Sequence, residues 1–136
     1  MNGKERNFKE KDFQQMFAAW ARHNLNTNAL LELKVSKTDS LPFSRLEDHQ
    51  FSALKAAKHN RLFFKIPDGS MGRLPADAFM LAKSEAWIVI MFRCTEYGNR
   101  CFYMVDVDAW ETEMAGPRRS LTEDRARSIG YAYFLA

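Results

Sequence analysis

The chain has 136 residues, of which 46% are hydrophobic and 27% are charged, and its formal net charge is +3. This composition is typical of one globular domain with a buried core and excludes a disordered or fibrous chain. No apolar run approaches the roughly 18 residues of a membrane span, and the polar start does not resemble a signal peptide, so a cytoplasmic protein with no membrane partner is expected. The basic excess favours polyanions only weakly.

The first predicted element is an amphipathic helix within residues 8–23. The turn-forming run at residues 24–28 ends it, and residues 1–7 are expected to be flexible. Its apolar residues recur with the i, i+3, i+4, i+7 spacing of one helix face: Phe13, Met16, Phe17 and Trp20. One side of this helix should therefore pack on the core.

The next element is a short apolar strand over residues 29–35 that carries Glu32 and Lys34. In a strand these two residues share a face with Leu30, while Leu31, Leu33 and Val35 share the other. A charged pair on a core-like strand carries a desolvation cost unless it is paired or functional. One interpretation is a salt bridge at the sheet edge. The other is a phosphodiesterase site in which Glu32 binds a cation and Lys34 lies near the attacking water or the phosphate.

A loop over residues 36–43 leads to a second helix that ends near His59. Ser44 and Glu47 have the spacing of a capping box and are predicted to open it. Gln50 lies in the first turn, where it can position a water or touch DNA. The alternative is an ordinary solvent-exposed helix start. The core stripe of the helix is predicted to be Leu46, Phe51, Leu54 and Ala57.

The second half of the chain is predicted to be rich in strands, over residues 62–66, 74–81, 86–92 and 100–107. The continuous apolar run over residues 86–92 predicts a central strand that is buried on both faces. A second capping-box pattern at residues 120–123 predicts a C-terminal helix that includes Ile129, Tyr133 and Phe134. The resulting order, α-β-α-β-β-β-β-α, predicts one domain of mixed α/β class, with a central mixed sheet flanked by helices.

Asp77 is the second candidate carboxylate of a metal site. If its strand is a near neighbour of the Glu32 strand, the two carboxylates suit Mg²⁺, which keeps several waters and takes its other ligands from carboxylates and phosphate. A turn-stabilising role after Pro75 is the alternative. Three further acidic residues are weaker candidates that ordinary surface charge explains: Glu10, Asp106 and Asp108.

The cysteine and histidine content predicts no transition-metal site. Cys94 and Cys101 flank a turn-like segment, and free thiols are the expected state in a reducing cytosol. Two cysteines and three scattered histidines do not make a zinc site.

Three motifs occur in order: Leu31-Glu32-Leu33-Lys34, Ser40-Leu41-Pro42-Phe43-Ser44 and Glu47-Asp48-His49-Gln50. Together they resemble the Holliday-junction resolvases of the RecU type and their small phage relatives, within the PD-(D/E)xK nuclease superfamily. The resemblance covers roughly residues 29 to 108. It implies a restriction-endonuclease-like fold and Mg²⁺-dependent hydrolysis of branched DNA, with Mn²⁺ as a substitute ion and a metal-activated water as the nucleophile. It also implies a homodimer in a bacterial or phage-infected cytosol.

Carried over by position, the resemblance implies that Glu32 is a metal ligand, that Lys34 stabilises the water or the pentacovalent phosphate, and that Gln50 supports the site. In most of the superfamily an acidic residue lies one strand earlier, but residues 25–28 contain no Asp or Glu. Asp77 is taken as the substitute catalytic and metal-binding residue. The DNA contacts are assigned to Lys37, Arg45, His49 and Arg73. Two alternatives stay open: a nuclease-fold module that binds DNA or protein without cutting, and a small α/β protein unrelated to nucleic acid.

Overall fold

The computed structural model describes residues 9–25, 28–66, 77–93, 95 and 100–135. Within these ranges the helices are α1 (Glu10–Asn24), α2 (Asp48–His59), α3 (Val107–Met114) and α4 (Glu123–Ile129). The strands are β1 (Ala29–Ser36), β2 (Ser40–Pro42), β3 (Arg61–Ile66), β4 (Asp77–Ala82), β5 (Glu85–Phe92), β6 (Cys101–Asp106), β7 (Ser120–Thr122) and β8 (Tyr131–Phe134). A 3₁₀ turn, Phe43–Arg45, precedes α2. None of the described helices is long and apolar enough to cross a membrane.

The central sheet has four described strands in the order β1-β5-β6-β8. β5 runs parallel to β1 and antiparallel to β6, and β6 is antiparallel to β8. Two short antiparallel ribbons, β2–β7 and β3–β4, lie outside this sheet. The prediction of a mixed α/β fold, with a mixed central sheet flanked by helices, is confirmed.

Apolar side chains cover both faces of the sheet, as the continuous run in β5 predicts. On the front face, Ile88 and Ile90 pack with residues of α2, α3 and α4. On the back face, Val89 and Met91 pack with the aromatic side chains of α1. Burying one such side chain stabilises the fold by roughly 1.5–3 kcal/mol, so the two faces together hold β5 at the centre.

The alternation in β1 follows the predicted pattern. Leu30 packs against the front core, whereas Leu31, Leu33 and Val35 belong to the back core. A slip of one residue would bury Glu32 and Lys34 among the aromatic side chains of α1 and expose their apolar neighbours. The register of β1 therefore keeps both charged residues on the front face.

The start of α2 differs from the predicted capping box. The helix begins at Asp48, Glu47 is its N-cap, and the side-chain oxygen of Gln50 accepts a hydrogen bond of 3.0 Å from the Glu47 N–H. Ser44 lies instead in the 3₁₀ turn. The Phe43 N–H donates to the Arg119 carbonyl at 3.0 Å and anchors this turn. The capping box therefore forms one turn later than predicted, between Glu47 and Gln50.

The C-terminal helix is shorter than predicted. The Thr122 hydroxyl caps α4 by accepting from the Arg125 N–H at 3.2 Å, and the helix ends at Ile129. The prediction that Tyr133 and Phe134 are helical is wrong, since both lie in β8. β8 forms because β6 offers an edge on which Tyr133 pairs opposite Phe102.

Candidate active site

Glu32 and Lys34 form an ion pair on the front face of β1. Nζ of Lys34 lies 3.4 Å from Oε1 of Glu32. The Lys34 side chain is 9% exposed and the Glu32 side chain is 28% exposed. The sheet order places β1 at an edge of the described sheet, as the salt-bridge interpretation expects. However, the ammonium is buried instead of solvated, so this is not an ordinary surface ion pair.

Gln50 joins the pair from the first turn of α2. β1 and β5 are parallel, so the chain must cross over the sheet between them, and α2 lies in that crossover on the front face. Nε2 of Gln50 donates to Oε1 of Glu32 at 2.8 Å, while its oxygen accepts from Glu47. Both ends of the amide are therefore held, and Gln50 fixes the orientation of the Glu32 carboxylate.

One oxygen of the Glu32 carboxylate receives both contacts. Lys34 and Gln50 both address Oε1, and among the described residues nothing donates to Oε2. A partly exposed carboxylate oxygen is the ligand type that Mg²⁺ prefers, and this ion often takes few protein ligands and completes its shell with water and phosphate. The donor set at Glu32 is thus compatible with a hard divalent cation.

Asp77 does not lie on a strand next to β1. β4 pairs with β3 in a separate ribbon, where Asp77 stands opposite Ile66 at the far end of the ladder from the Arg61–Ala82 pair. Its carboxylate lies outside the described side chains, so its role as a metal ligand stays a prediction. In the part of the chain that is described, no three His, Cys, Asp or Glu residues cluster as a metal site.

Two of the four residues assigned to DNA contacts, Lys37 and Arg45, lie beyond the carboxyl end of β1. Lys37 and Arg45 are exposed and line a cavity of about 600 Å³. Nη2 of Arg45 donates to the Val35 carbonyl at 3.4 Å, which places the guanidinium close to the Glu32–Lys34 strand. His49 is exposed on α2, 3.2 Å from the Glu47 carboxylate, and Arg73 lies outside the described residues.

A hydroxyl network that sequence reasoning missed shapes the loop after β1. Oγ of Ser36 donates to the Ser40 carbonyl at 2.5 Å and accepts from the Thr38 N–H at 3.2 Å. The Thr38 hydroxyl donates to the same carbonyl at 2.9 Å. The sequence pattern that could have predicted this network is the alternation of Ser and Thr residues in the loop, because their hydroxyls commonly hydrogen-bond to nearby backbone. The network holds Lys37 in a tight turn beside the site.

Asp106 and Asp108 have structural partners. Asp106 accepts hydrogen bonds of 2.7 and 2.8 Å from Lys58 and caps α3 through the Asp108 N–H at 2.9 Å. Asp108 contacts Lys58 at 2.6 Å, Lys55 at 2.9 Å and His59 at 2.8 Å. Burial opposes its charged form, but hydrogen bonds from these three side chains outweigh burial and lower the pKa of Asp108. These contacts dock α2 on α3 and favour the structural interpretation over metal binding.

Cys101 is a free, buried thiol, as the sequence predicts; Cys94 lies outside the described residues. Burial raises its pKa, with an opposing hydrogen bond from Tyr103. A buried thiol with a raised pKa is a poor nucleophile, so Cys101 belongs to the core.

Comparison of the chain with protein-family models, with curated proteins and with solved structures finds no match. The relation to RecU-type resolvases therefore stays a prediction from three motifs. The convergence of Glu32, Lys34 and Gln50 is an independent observation, because it depends on the packing of α2 over β1.

Proposed function

We propose that the protein is a metal-dependent DNA endonuclease that hydrolyses phosphodiester bonds in branched DNA, with the four-way junction as its preferred substrate. The observation that carries the proposal is the convergence of Lys34 and Gln50 on one carboxylate oxygen of Glu32. A buried ion pair often contributes less to stability than apolar residues of the same size. A buried lysine that faces a partly exposed carboxylate is therefore better explained by chemistry than by folding.

Each of the three residues has a distinct role in this proposal. Glu32 would hold Mg²⁺, or Mn²⁺ in its place, and the bound ion would supply charge neutralisation at the phosphate and a lower pKa for water. Lys34 places an ammonium beside the scissile phosphate, where it stabilises the negative charge that develops on the phosphoryl oxygens. Gln50 holds the Glu32 carboxylate in place through its hydrogen bond to Oε1.

The basic residues beyond β1 supply the DNA contacts in this proposal. Lys37 and Arg45 hold phosphates next to the site, with His49 and Arg73 contributing further contacts. Binding should weaken as salt rises, because each neutralised phosphate releases counterions. A homodimer would match the two-fold symmetry of a four-way junction.

The test is a cleavage assay on labelled four-way junction, duplex and single-stranded DNA, with Mg²⁺ or Mn²⁺. We expect Glu32→Gln and Lys34→Met to reduce the cleavage rate by about 100-fold or more. Glu111→Gln, an acidic residue of α3 that contacts Lys55, is the matched control and should cut like the wild type. The proposal fails if the wild type cuts none of the three substrates or if Glu32→Gln cuts normally.

Asp77→Asn belongs in the same assay as a separate question. A rate equal to that of the wild type would remove Asp77 from the site while leaving Glu32 and Lys34 in place. A loss comparable to that of Glu32→Gln would support its role as the second carboxylate.

A second candidate function is a nuclease-fold module that binds DNA or a partner protein without cutting. The observation that favours it is that the described residues contain no group of three or more His, Cys, Asp or Glu side chains that could hold a metal ion. Salt-sensitive binding of the junction, without cleavage in the presence of either metal ion, would support this alternative.

A further inference from the structure

The β2–β7 ribbon brings two arginines from late in the chain to the neighbourhood of Arg45. Pro42 pairs opposite Ser120, and the Phe43 N–H donates to the Arg119 carbonyl at 3.0 Å. Arg118 and Arg119 therefore run alongside the 3₁₀ turn that contains Arg45. The Arg45 guanidinium in turn reaches the Val35 carbonyl, one residue after Lys34. Arg45 therefore lies between the two later arginines and the carboxyl end of β1.

These arginines differ in their contacts from other basic residues of the front side. Four others are held in ion pairs with carboxylates: Lys55, Lys58, Arg125 and Arg127. By contrast, Arg45, Arg118 and Arg119 are exposed, and none forms an ion pair with a carboxylate of the described chain. Arg118 is near enough to Glu113 to help lower its pKa, but the dominant cause is the hydrogen bond that Glu113 accepts from Arg125. The positive charge of the three arginines is thus available to an external anion.

Arg118 and Arg119 line a groove that also includes Ser44, the residue before Arg45. Its volume is about 550 Å³, and its lining combines the 3₁₀ turn with the segment before β7: Pro42, Phe43, Ser44, Met114 and residues 116–120. Guanidinium groups bind phosphate oxygens through paired hydrogen bonds, so arginines along such a groove suit a phosphate backbone that crosses it.

We propose that Arg118 and Arg119, together with Arg45, bind the phosphate backbone of the DNA arm that flanks the scissile phosphate. The inference rests on the proposed function, because it takes DNA as the substrate. It adds a second contact region, on the β2–β7 ribbon, to the contacts beyond β1. The arm leaves the site along this ribbon, so these arginines contribute to binding and not to the chemical step.

The test measures binding of a fluorescent four-way junction by anisotropy in EDTA, over a series of salt concentrations. We expect Arg118→Ala/Arg119→Ala to weaken binding about 10-fold or more at low salt and to reduce the slope of log affinity against log salt by about 2, one for each lost phosphate contact. The control is Arg22→Glu, an exposed residue in the last turn of α1, which changes the net charge by the same amount. It should bind the junction nearly as well as the wild type.

Three outcomes contradict the inference, and they differ in what else they affect. If the wild type binds DNA and the double variant binds equally well with the same slope, the ribbon contact is wrong while the proposed function stands. If Arg22→Glu weakens binding as much as the double variant, the effect is one of net charge and the local contact is again wrong. If the wild type binds no DNA at low salt, both proposals fail. Because both arginines are exposed, equal thermal unfolding of wild type and double variant should verify that the fold is intact.

Discussion

Lys34 is the residue at which stability and function should conflict. Its ammonium is buried, and Glu32 is its ion-pair partner within the described chain. Ordering and desolvating this group costs folding free energy that one ion pair recovers only in part.

We expect the double variant Glu32→Gln/Lys34→Met to leave the free energy of unfolding unchanged or to raise it by about 1 kcal/mol, while cleavage is lost, because it removes both charges of the pair and keeps an acceptor for Gln50. The measurement is urea unfolding beside the cleavage assay. Lys58→Met is the matched control: it leaves Asp106 and Asp108 without their shared partner, so stability should fall by about 1 kcal/mol while cleavage is retained. A double variant Glu32→Gln/Lys34→Met that is less stable than Lys58→Met would contradict this account.

Asp108 should make the stability of the protein depend on acid pH. Hydrogen bonds from Lys58, Lys55 and His59 overcome the opposing effect of burial and lower its pKa in the folded state, whereas the unfolded value is about 4. Ionised Asp108 therefore stabilises the fold above about pH 4, and this contribution is lost as the pH falls from there toward the folded pKa. Because the side chain is partly exposed, the contribution at neutral pH is about 1 kcal/mol.

The variant Asp108→Asn should accordingly be less stable than the wild type at pH 7, and the difference should shrink as the pH falls below 4. Thermal unfolding as a function of pH measures it. Asp124→Asn, which changes an exposed carboxylate of α4, serves as the control. A difference between Asp108→Asn and wild type that stays constant down to low pH would show that the charge of Asp108 is not involved.

At the scale of elements, Gly130 controls how α4 gives way to β8. A Cβ at this position would collide with the Met104 carbonyl and lie 3.0 Å from the Ala126 carbonyl. Both atoms belong to the backbone and cannot move aside as a side chain can. The close approach of Gly130 to β6 is what lets the chain leave the helix and pair at once with the sheet edge.

We expect Gly130→Ala to lower the free energy of unfolding by about 2 kcal/mol, as overpacking in a tight site does. Gly116→Ala, where a Cβ would lie 3.2 Å from the Glu113 carbonyl in an exposed turn, should cost less than about 1 kcal/mol. Urea unfolding compares the two variants. Equal losses would mean that the approach to Met104 does not limit the packing of β8.

At the scale of the whole molecule, two cores share one sheet. Phe13 lies in the back core and Leu54 in the front core, and both are fully or almost fully buried. β5 and β6 contribute side chains to each core, so neither core should unfold without disturbing the other. The single domain stays a prediction, which unfolding experiments can test.

We expect Phe13→Ala and Leu54→Ala each to destabilise the protein by about 2–5 kcal/mol while unfolding stays a single transition. Far-UV circular dichroism and tryptophan fluorescence should give the same midpoint. The slope of the free energy of unfolding against urea concentration should be unchanged. Two separate transitions in Phe13→Ala would instead indicate that the α1 side unfolds independently.

Local patterns in the sequence were sufficient for much of the fold and for the centre of the site. The helical stripe of α1, the alternation in β1 and the doubly buried β5 were predicted because each pattern reflects contacts within one element and a single core. Glu32, Lys34 and Gln50 were selected from short motifs and are in direct contact, while their role in catalysis stays a prediction.

Other features were decided by contacts between distant parts of the chain. Tyr133 and Phe134 form a strand because β6 has a free edge, and β4 pairs with β3, which removes Asp77 from the sheet of β1. The β2–β7 pairing sets Arg118 and Arg119 beside Arg45. No local sequence pattern predicts these strand pairings, because they depend on which sheet edges the rest of the fold leaves open. Periodicity along the chain determined the faces of the elements, and tertiary packing determined which elements meet.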